Sequence, residues 1–230
     1  MQGHVSILSV SPEAAAMIAS GGRISTMDGT ADEIYANSLS AGQEKNEKLI
    51  GKVLSSGHTS VLEHCYVNLS FENVSVLAEQ FLIEFRLASF TVKSRRYVDF
   101  SKAGYVSPVF TDNVQMAIFE RTVESLFGTY DVLEAAGVPK EDARFVLPYC
   151  FCSNFFCSMN ARELVHVMNE LAYGRGSRIP ELRALGESLF AQCEQQIPFL
   201  AVRKPEAYRQ SDAFCLRQVQ PLTSKAPVTV

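Results

Sequence analysis

The run from Cys65 to Phe71 alternates, with Tyr66, Asn68 and Ser70 set against Cys65, Val67, Leu69 and Phe71. A period of two predicts a strand with one buried face. Residues 74–88 (VSVLAEQFLIEFRLA) lose the alternation and stay apolar over a helical length, which predicts a helix. Punctuation sets the other helices. One is expected over 11–20, with Ser11 as N-cap and Pro12 at the first helical position, closed by Gly21 and Gly22. Others are expected over 41–56, ending at Gly57, and over 112–136, followed by Gly137 and Pro139. Residues 140–158 and 160–171 read as two helices joined near Met159, and Pro180 opens a last one over 181–196. From Ser89 the apolar pattern gives way to a polar, basic and aromatic segment, FTVKSRRYVDFSKAGYVSP. These elements describe an α+β chain, mostly helical, with a minority sheet.

Composition narrows the class. A chain of 230 residues is one domain by default, long enough to bury about 70% of its unfolded surface. With 47% hydrophobic and 20% charged residues it is globular. A net charge of −4 argues against a surface built to grip nucleic acid or anionic membrane. No run reaches the roughly 18 apolar residues of a spanning helix, and MQGHVSILSV lacks the basic start of a secretory leader. The expected location is the cytoplasm. The six cysteines are too few and irregular for a disulfide scaffold. Cys150, Cys152 and Cys157 lie in a phenylalanine-rich run, where a thiol behaves as a small buried hydrophobe. They lack paired CxxC spacing, so no zinc site is expected there. From Lys204 the chain turns polar and reads as a tail over 204–230, leaving one domain over 1–203.

Candidate chemistry concentrates in Arg86, Lys93, Arg95 and Arg96, interleaved with Ser89, Thr91, Ser94 and Tyr97. Arginine forks and hydroxyls together suit a phosphate group, although a solvated basic loop has the same composition. A second feature is GHTSVLEH at 57–64. His58 and His64 miss the i, i+4 spacing that aligns two metal ligands on a helix, so no metal is expected. A polar cofactor contact or a structural histidine fits better. Asn160 fits a helix cap, His166 fits a satisfied core or interface position, and YGRGS at 173–177 fits a helix-terminating turn.

Taken in order, GHTSVLEH, FRLASFTVKSRRY (85–97), RFVLP (144–148) and NAREL (160–164) resemble the flavin-dependent thymidylate synthases over about residues 50–190. Arg86, Ser89, Ser94, Arg96 and Tyr97 match the family's R-H-R-x-x-S-x-N-E-x-S-x-R-Y signature. Glu84 and Phe85 replace its first Arg-His, and Thr91-Val92 its Asn-Glu. Leu171 stands where the family has its nucleotide-ionising arginine. Within the family the chain looks most similar to the UMP/dUMP methylases of nucleoside-antibiotic biosynthesis.

The resemblance implies a single, mostly helical domain with a minority antiparallel sheet. It also implies a homotetramer with active sites between subunits, binding FAD and a pyrimidine nucleoside monophosphate, with methylenetetrahydrofolate and NADPH as co-substrates. The implied activity is reductive C5-methylation of UMP or dUMP; a catalytically silent nucleotide-binding relative is the alternative. Gln80, Ser89, Ser94, Arg95, Arg96 and Arg144 map onto substrate contacts. His58, Ser60, Arg86, Asn160 and His166 map onto flavin contacts. Arg175, then Arg178, are the candidates to replace the arginine missing at Leu171.

Overall fold

In the computed structural model, which describes residues 3–209, strand β1 (His4–Val10) is followed by α1 (Ala14–Arg23), α2 (Ala31–Ala41) and α3 (Gln43–Ser55). A 3₁₀ turn (Thr59–His64) leads into β2 (Tyr66–Ser75), α4 (Val76–Ile83) and β3 (Ala88–Val92). Then come α5 (Asn113–Ala135), the short α6 (Lys140–Ala143), β4 (Cys152–Asn160), α7 (Ala161–Ala172), a 3₁₀ turn (Arg175–Arg178) and α8 (Pro180–Gln196). The four strands form one antiparallel sheet in the order β1-β2-β4-β3.

Alternation orients the sheet. Val67, Leu69 and Phe71 on β2 face Met159, Cys157 and Phe155 on β4, all buried, and Phe71 stacks on Phe155 with ring centroids 4.7 Å apart. This face packs under α1, α7 and α8 to make the main core. The opposite face carries one polar residue from each strand in a row, Ser9, Asn68, Ser158 and Ser89. Asn68 donates to Ser9 Oγ at 2.9 Å and accepts from Ser158. A second core joins Val123, Phe127 and Tyr130 of α5 to Phe100 and Phe151.

The expected helix over 140–158 is not formed. The helix stops after four residues at Ala143, and the chain turns at Pro148 before entering β4. Proline disfavours helical backbone in the residue before it, and beyond it Phe155, Cys157 and Met159 alternate inward against Asn154, Phe156 and Ser158. The helix expected over 74–88 ends at Ile83, and the residues from Ala88 pair with β4 instead of forming a loop. The helix expected over 11–20 starts later, after Glu13 in the left-handed region (φ 52°), and runs through Gly21 and Gly22 to Arg23. Those glycines are packing positions: a Cβ on Gly21 would lie 3.0 Å from the His64 ring. β1 and α2 have no counterpart in the pattern reading. The helices expected over 41–56, 112–136, 160–171 and 181–196 are present within two residues at each end. Of the expected tail, 205–209 are helical and the stretch beyond lies outside the described residues.

Helices α7 and α8 touch closely at Gly186, where an added Cβ would sit 2.8 Å from Leu171 Cβ and 2.9 Å from the Ala172 nitrogen. Gly186→Val is expected to cost about 1–3 kcal/mol by overpacking. Urea unfolding should show a lower midpoint with an unchanged slope.

Candidate active site

The basic segment is carried from the end of α4, along β3 and into a turn. Lys93 continues the pairing, its N–H donating to the Asn154 carbonyl at 3.0 Å. The Val98 N–H donates to the Ser94 carbonyl at 3.1 Å, and the Arg96 N–H to Ser94 Oγ at 3.3 Å, closing the turn over 94–98. Within it two neighbouring arginines part company. Arg96 is exposed and lies 5.6 Å over the ring of Tyr97, itself 78% exposed. Arg95 turns inward, pairing with the Glu79 carboxylate of α4 and lying 5.2 Å over the Phe151 ring.

Glu79 is 2% exposed, and it also accepts from Ser153 Oγ of β4 and from Gln80 Nε2 at 3.3 Å. A buried carboxylate is tolerated only when paired and hydrogen-bonded, and here Arg95 and Ser153 do both. The sequence reading grouped Arg95 with the outward phosphate ligands and passed over Glu79 and Ser153. The available signal was a lone glutamate inside the apolar run VLAEQFLI.

Beside the turn, the register of β2 slips between Phe71 and Val74, with Asn73 at φ 53° and its N–H held by Asn154 Oδ1 at 2.9 Å. The slip opens a cavity of about 410 Å³ on the outer sheet face, lined by Ser70, Glu72, Thr91, Lys93, Asn154 and Phe156 among others. Ser89 is exposed on the same sheet, opposite Ser158. Gln80 is half-buried on α4.

A second ridge combines the turn Thr59–His64, the start of α7 and the Phe85–Arg86 corner. The Ala161 N–H donates to the Cys65 carbonyl at 2.7 Å, Arg162 pairs with Glu63, and Phe85 meets the His166 ring edge-on at 5.5 Å. His58, Ser60 and Arg86 are exposed here. Asn160 caps α7, accepting from the Glu163 N–H at 2.9 Å. Its capping role therefore occupies the side-chain oxygen.

Leu171 is fully buried in the main core and faces no site. Arg175 instead projects where α4 ends: Nη1 lies 3.0 Å from Glu84, Nε 4.0 Å from Glu170, and the guanidinium 5.1 Å over the Phe81 ring. Arg178, also exposed, closes the same 3₁₀ turn. Arg144 is set apart on the second core, its Nε donating to the Glu141 carbonyl at 2.9 Å, beside Phe145 at 80% exposure. Burial pushes the thiols of Cys157 and Cys193 up to about 12, so neither is an ionised nucleophile at neutral pH.

The model of the thymidylate synthase complementing protein family matches residues 6–199. The chain belongs to this family. A flavin-dependent thymidylate synthase from Nitratidesulfovibrio vulgaris is 31% identical over 209 residues, covering 86% of this chain and 84% of that protein. Another from Geobacter sulfurreducens is 34% identical over 166 residues, covering 70% of each. Among solved structures, the UMP/dUMP methylase PolB from Streptomyces cacaoi, bound with 5-Br dUMP, shares the fold. Its TM-score is 0.71 at 21% identity, over 87% of this chain and 93% of that one. No helix among the described residues is long and apolar enough to cross a membrane.

Proposed function

We propose that the protein is a flavin-dependent methylase that adds a methyl group to C5 of UMP or dUMP. The observation that carries this reading is the 84–97 segment, whose turn leaves Arg96 exposed and Ser94 half-buried beside it while Arg95 pairs inward with Glu79. Ser89, Ser94, Arg96 and Gln80 hold the nucleotide phosphate, with Arg95 supporting the turn from behind. Charge-assisted bonds from an arginine fork are the strongest available contacts to a phosphate.

Arg175, with Arg178 behind it, stabilises the pyrimidine as N3 loses its proton; a cation beside that anion enriches C5 as a nucleophile. Arg144, with its exposed neighbour Phe145, reaches the uracil or ribose of a second copy's site in a homotetramer. The donor set of the second ridge, with exposed Arg86, His58 and Ser60 beside half-buried His166, fits a flavin nucleotide, whose pyrophosphate asks for cations and hydroxyls. His58, Ser60, Arg86, Asn160 and His166 would hold FAD. Bound there, FAD would supply, once reduced by NADPH, the hydride that converts the methylene carbon donated by methylenetetrahydrofolate into the methyl group. The same proposal places the protein in the cytoplasm and in nucleoside-antibiotic biosynthesis, as the sequence resemblance implies.

Purified protein is expected to take up FAD at micromolar concentration and to bind UMP or dUMP; a colourless protein that takes up no flavin would overturn the reading. Arg96→Ala is expected to weaken nucleotide binding by about 1.5–3 kcal/mol. Isothermal titration with UMP and dUMP measures it, and an unchanged affinity would remove Arg96 from the phosphate site.

A further inference from the structure

His166 lies half-buried on α7, and two aromatic side chains close on its ring. Phe85 approaches edge-on at 5.5 Å and 75°, and the Tyr208 ring lies 5.7 Å away. The Tyr208 hydroxyl is 2.8 Å from His166 Nδ1. Phe85, only 6% exposed, occupies the position where the resembling signature has a histidine, and it brings no hydrogen-bonding group. Tyr208 does, and it comes from beyond residue 199, where the match to the family model ends.

The segment carrying Tyr208 is tied down. Asn169 of α7, fully buried, donates to the Val202 carbonyl at 2.8 Å and accepts from the Lys204 N–H at 2.6 Å. Arg203 lies 4.1 Å over the Phe190 ring and bonds Tyr173 Oη at 2.7 Å, Glu187 at 2.8 Å and Glu194 at 3.2 Å. Residues 202–204 therefore form a strap across α7 and α8 that delivers Tyr208 to one ring nitrogen.

Burial and the nearby carboxylates of Glu170 and Glu163 push the Tyr208 phenol up to about 12, so it keeps its proton at neutral pH. A phenol donating to Nδ1 leaves the imidazole proton on Nε2, because a neutral ring has one donor and one acceptor. The group bonded to one nitrogen thus decides what the other nitrogen offers.

We propose that Tyr208 is a positioning residue for the flavin site, fixing His166 as the Nε2–H tautomer so that this nitrogen donates to the bound flavin nucleotide. The inference rests on His166 being a flavin contact. It assigns polar support of the ring to the C-terminal strap, since Phe85 offers His166 only an apolar edge contact.

The test uses the full-length chain and Tyr208→Phe, His166→Ala and the double variant, with FAD as the probe. Histidine-labelled ¹⁵N spectra report the tautomer directly. The chain has four histidines, and the His166 signals are those lost in His166→Ala. The wild type is expected to show Nδ1 unprotonated and Nε2 protonated, and Tyr208→Phe to show a mixture of tautomers. FAD affinity, read by fluorescence quenching, is expected to fall about tenfold in Tyr208→Phe, with the double variant no weaker than His166→Ala. An unchanged tautomer or an unchanged affinity in Tyr208→Phe would overturn the proposal while leaving the flavin contact intact. Wild-type FAD affinity in His166→Ala would instead overturn the reading of His166 on which it rests.

Discussion

Glu79→Ala is expected to destabilise the protein by about 3–5 kcal/mol, because it strands a guanidinium in the interior. Arg95 is 19% exposed in its side chain, lies over Phe151, and its Nε has no hydrogen-bond partner among the described residues. Glu79 is its charge partner and also the acceptor for Ser153 Oγ. At this chain length each kcal/mol moves the thermal midpoint by about 2–4 °C, so a fall of roughly 10 °C is expected. The double variant Glu79→Leu with Arg95→Met should recover most of that loss, since a buried pair can be replaced by apolar groups at little cost. Nucleotide affinity should remain reduced in the double variant, because the turn that presents Ser94 and Arg96 loses its internal strut. A loss below about 1 kcal/mol in Glu79→Ala would mean that the pair is solvated and carries little.

The second large effect concerns Arg175, and it falls on turnover. Its side chain is 53% exposed and its partner Glu84 57%, so the pair contributes only about 0–1 kcal/mol to stability. Arg175→Ala should leave unfolding almost unchanged. If Arg175 stabilises the pyrimidine anion, kcat should drop about 10²–10³-fold, the scale seen when a charge-stabilising donor is removed, with KM changed little. Wild-type turnover in Arg175→Ala would pass the role to Arg178 or to no arginine. Leu171→Arg, which places an arginine where the resemblance implies one, is expected to fail as a rescue. Leu171 is fully buried against Gly186, so an arginine there would be an unpaired charge in the core.

The long helices were legible because their ends carry distinct chemistry. Asp112 caps α5 and Asn160 caps α7, while Pro180 opens α8 and Gly137, at φ 84°, follows the end of α5. Strand β4 was not legible because it is paired on both edges and rich in Phe, Cys and Met, so its composition matches a buried helix as well as a strand. Its alternation becomes evident only when read from Cys152, after Pro148 has broken the preceding segment. Edge strand β1 escaped because two of its four apolar residues, Ile7 and Leu8, are adjacent at a register shift and break the alternation.

The signature segment was legible as a basic, hydroxyl-rich run, but the direction of each side chain was not. Arg95 and Arg96 are adjacent and chemically alike; only the buried Glu79, sixteen residues earlier, turns one of them inward. The contact between His166 and Tyr208 spans 42 residues and joins a helix to a segment that composition marks as a polar tail. No local pattern encodes it.

The central claim is C5-methylation of a uridine nucleotide. Its most direct test is a complete turnover mixture of the protein with FAD, NADPH and methylenetetrahydrofolate, run separately on UMP and on dUMP and read by mass spectrometry. A product heavier than its substrate by the conversion of one ring hydrogen to a methyl group is predicted, and the ratio of the two rates gives the sugar preference. Absence of methylated product from both nucleotides, with flavin and nucleotide shown to be bound, would contradict the claim and leave a nucleotide-binding relative that has lost the chemistry.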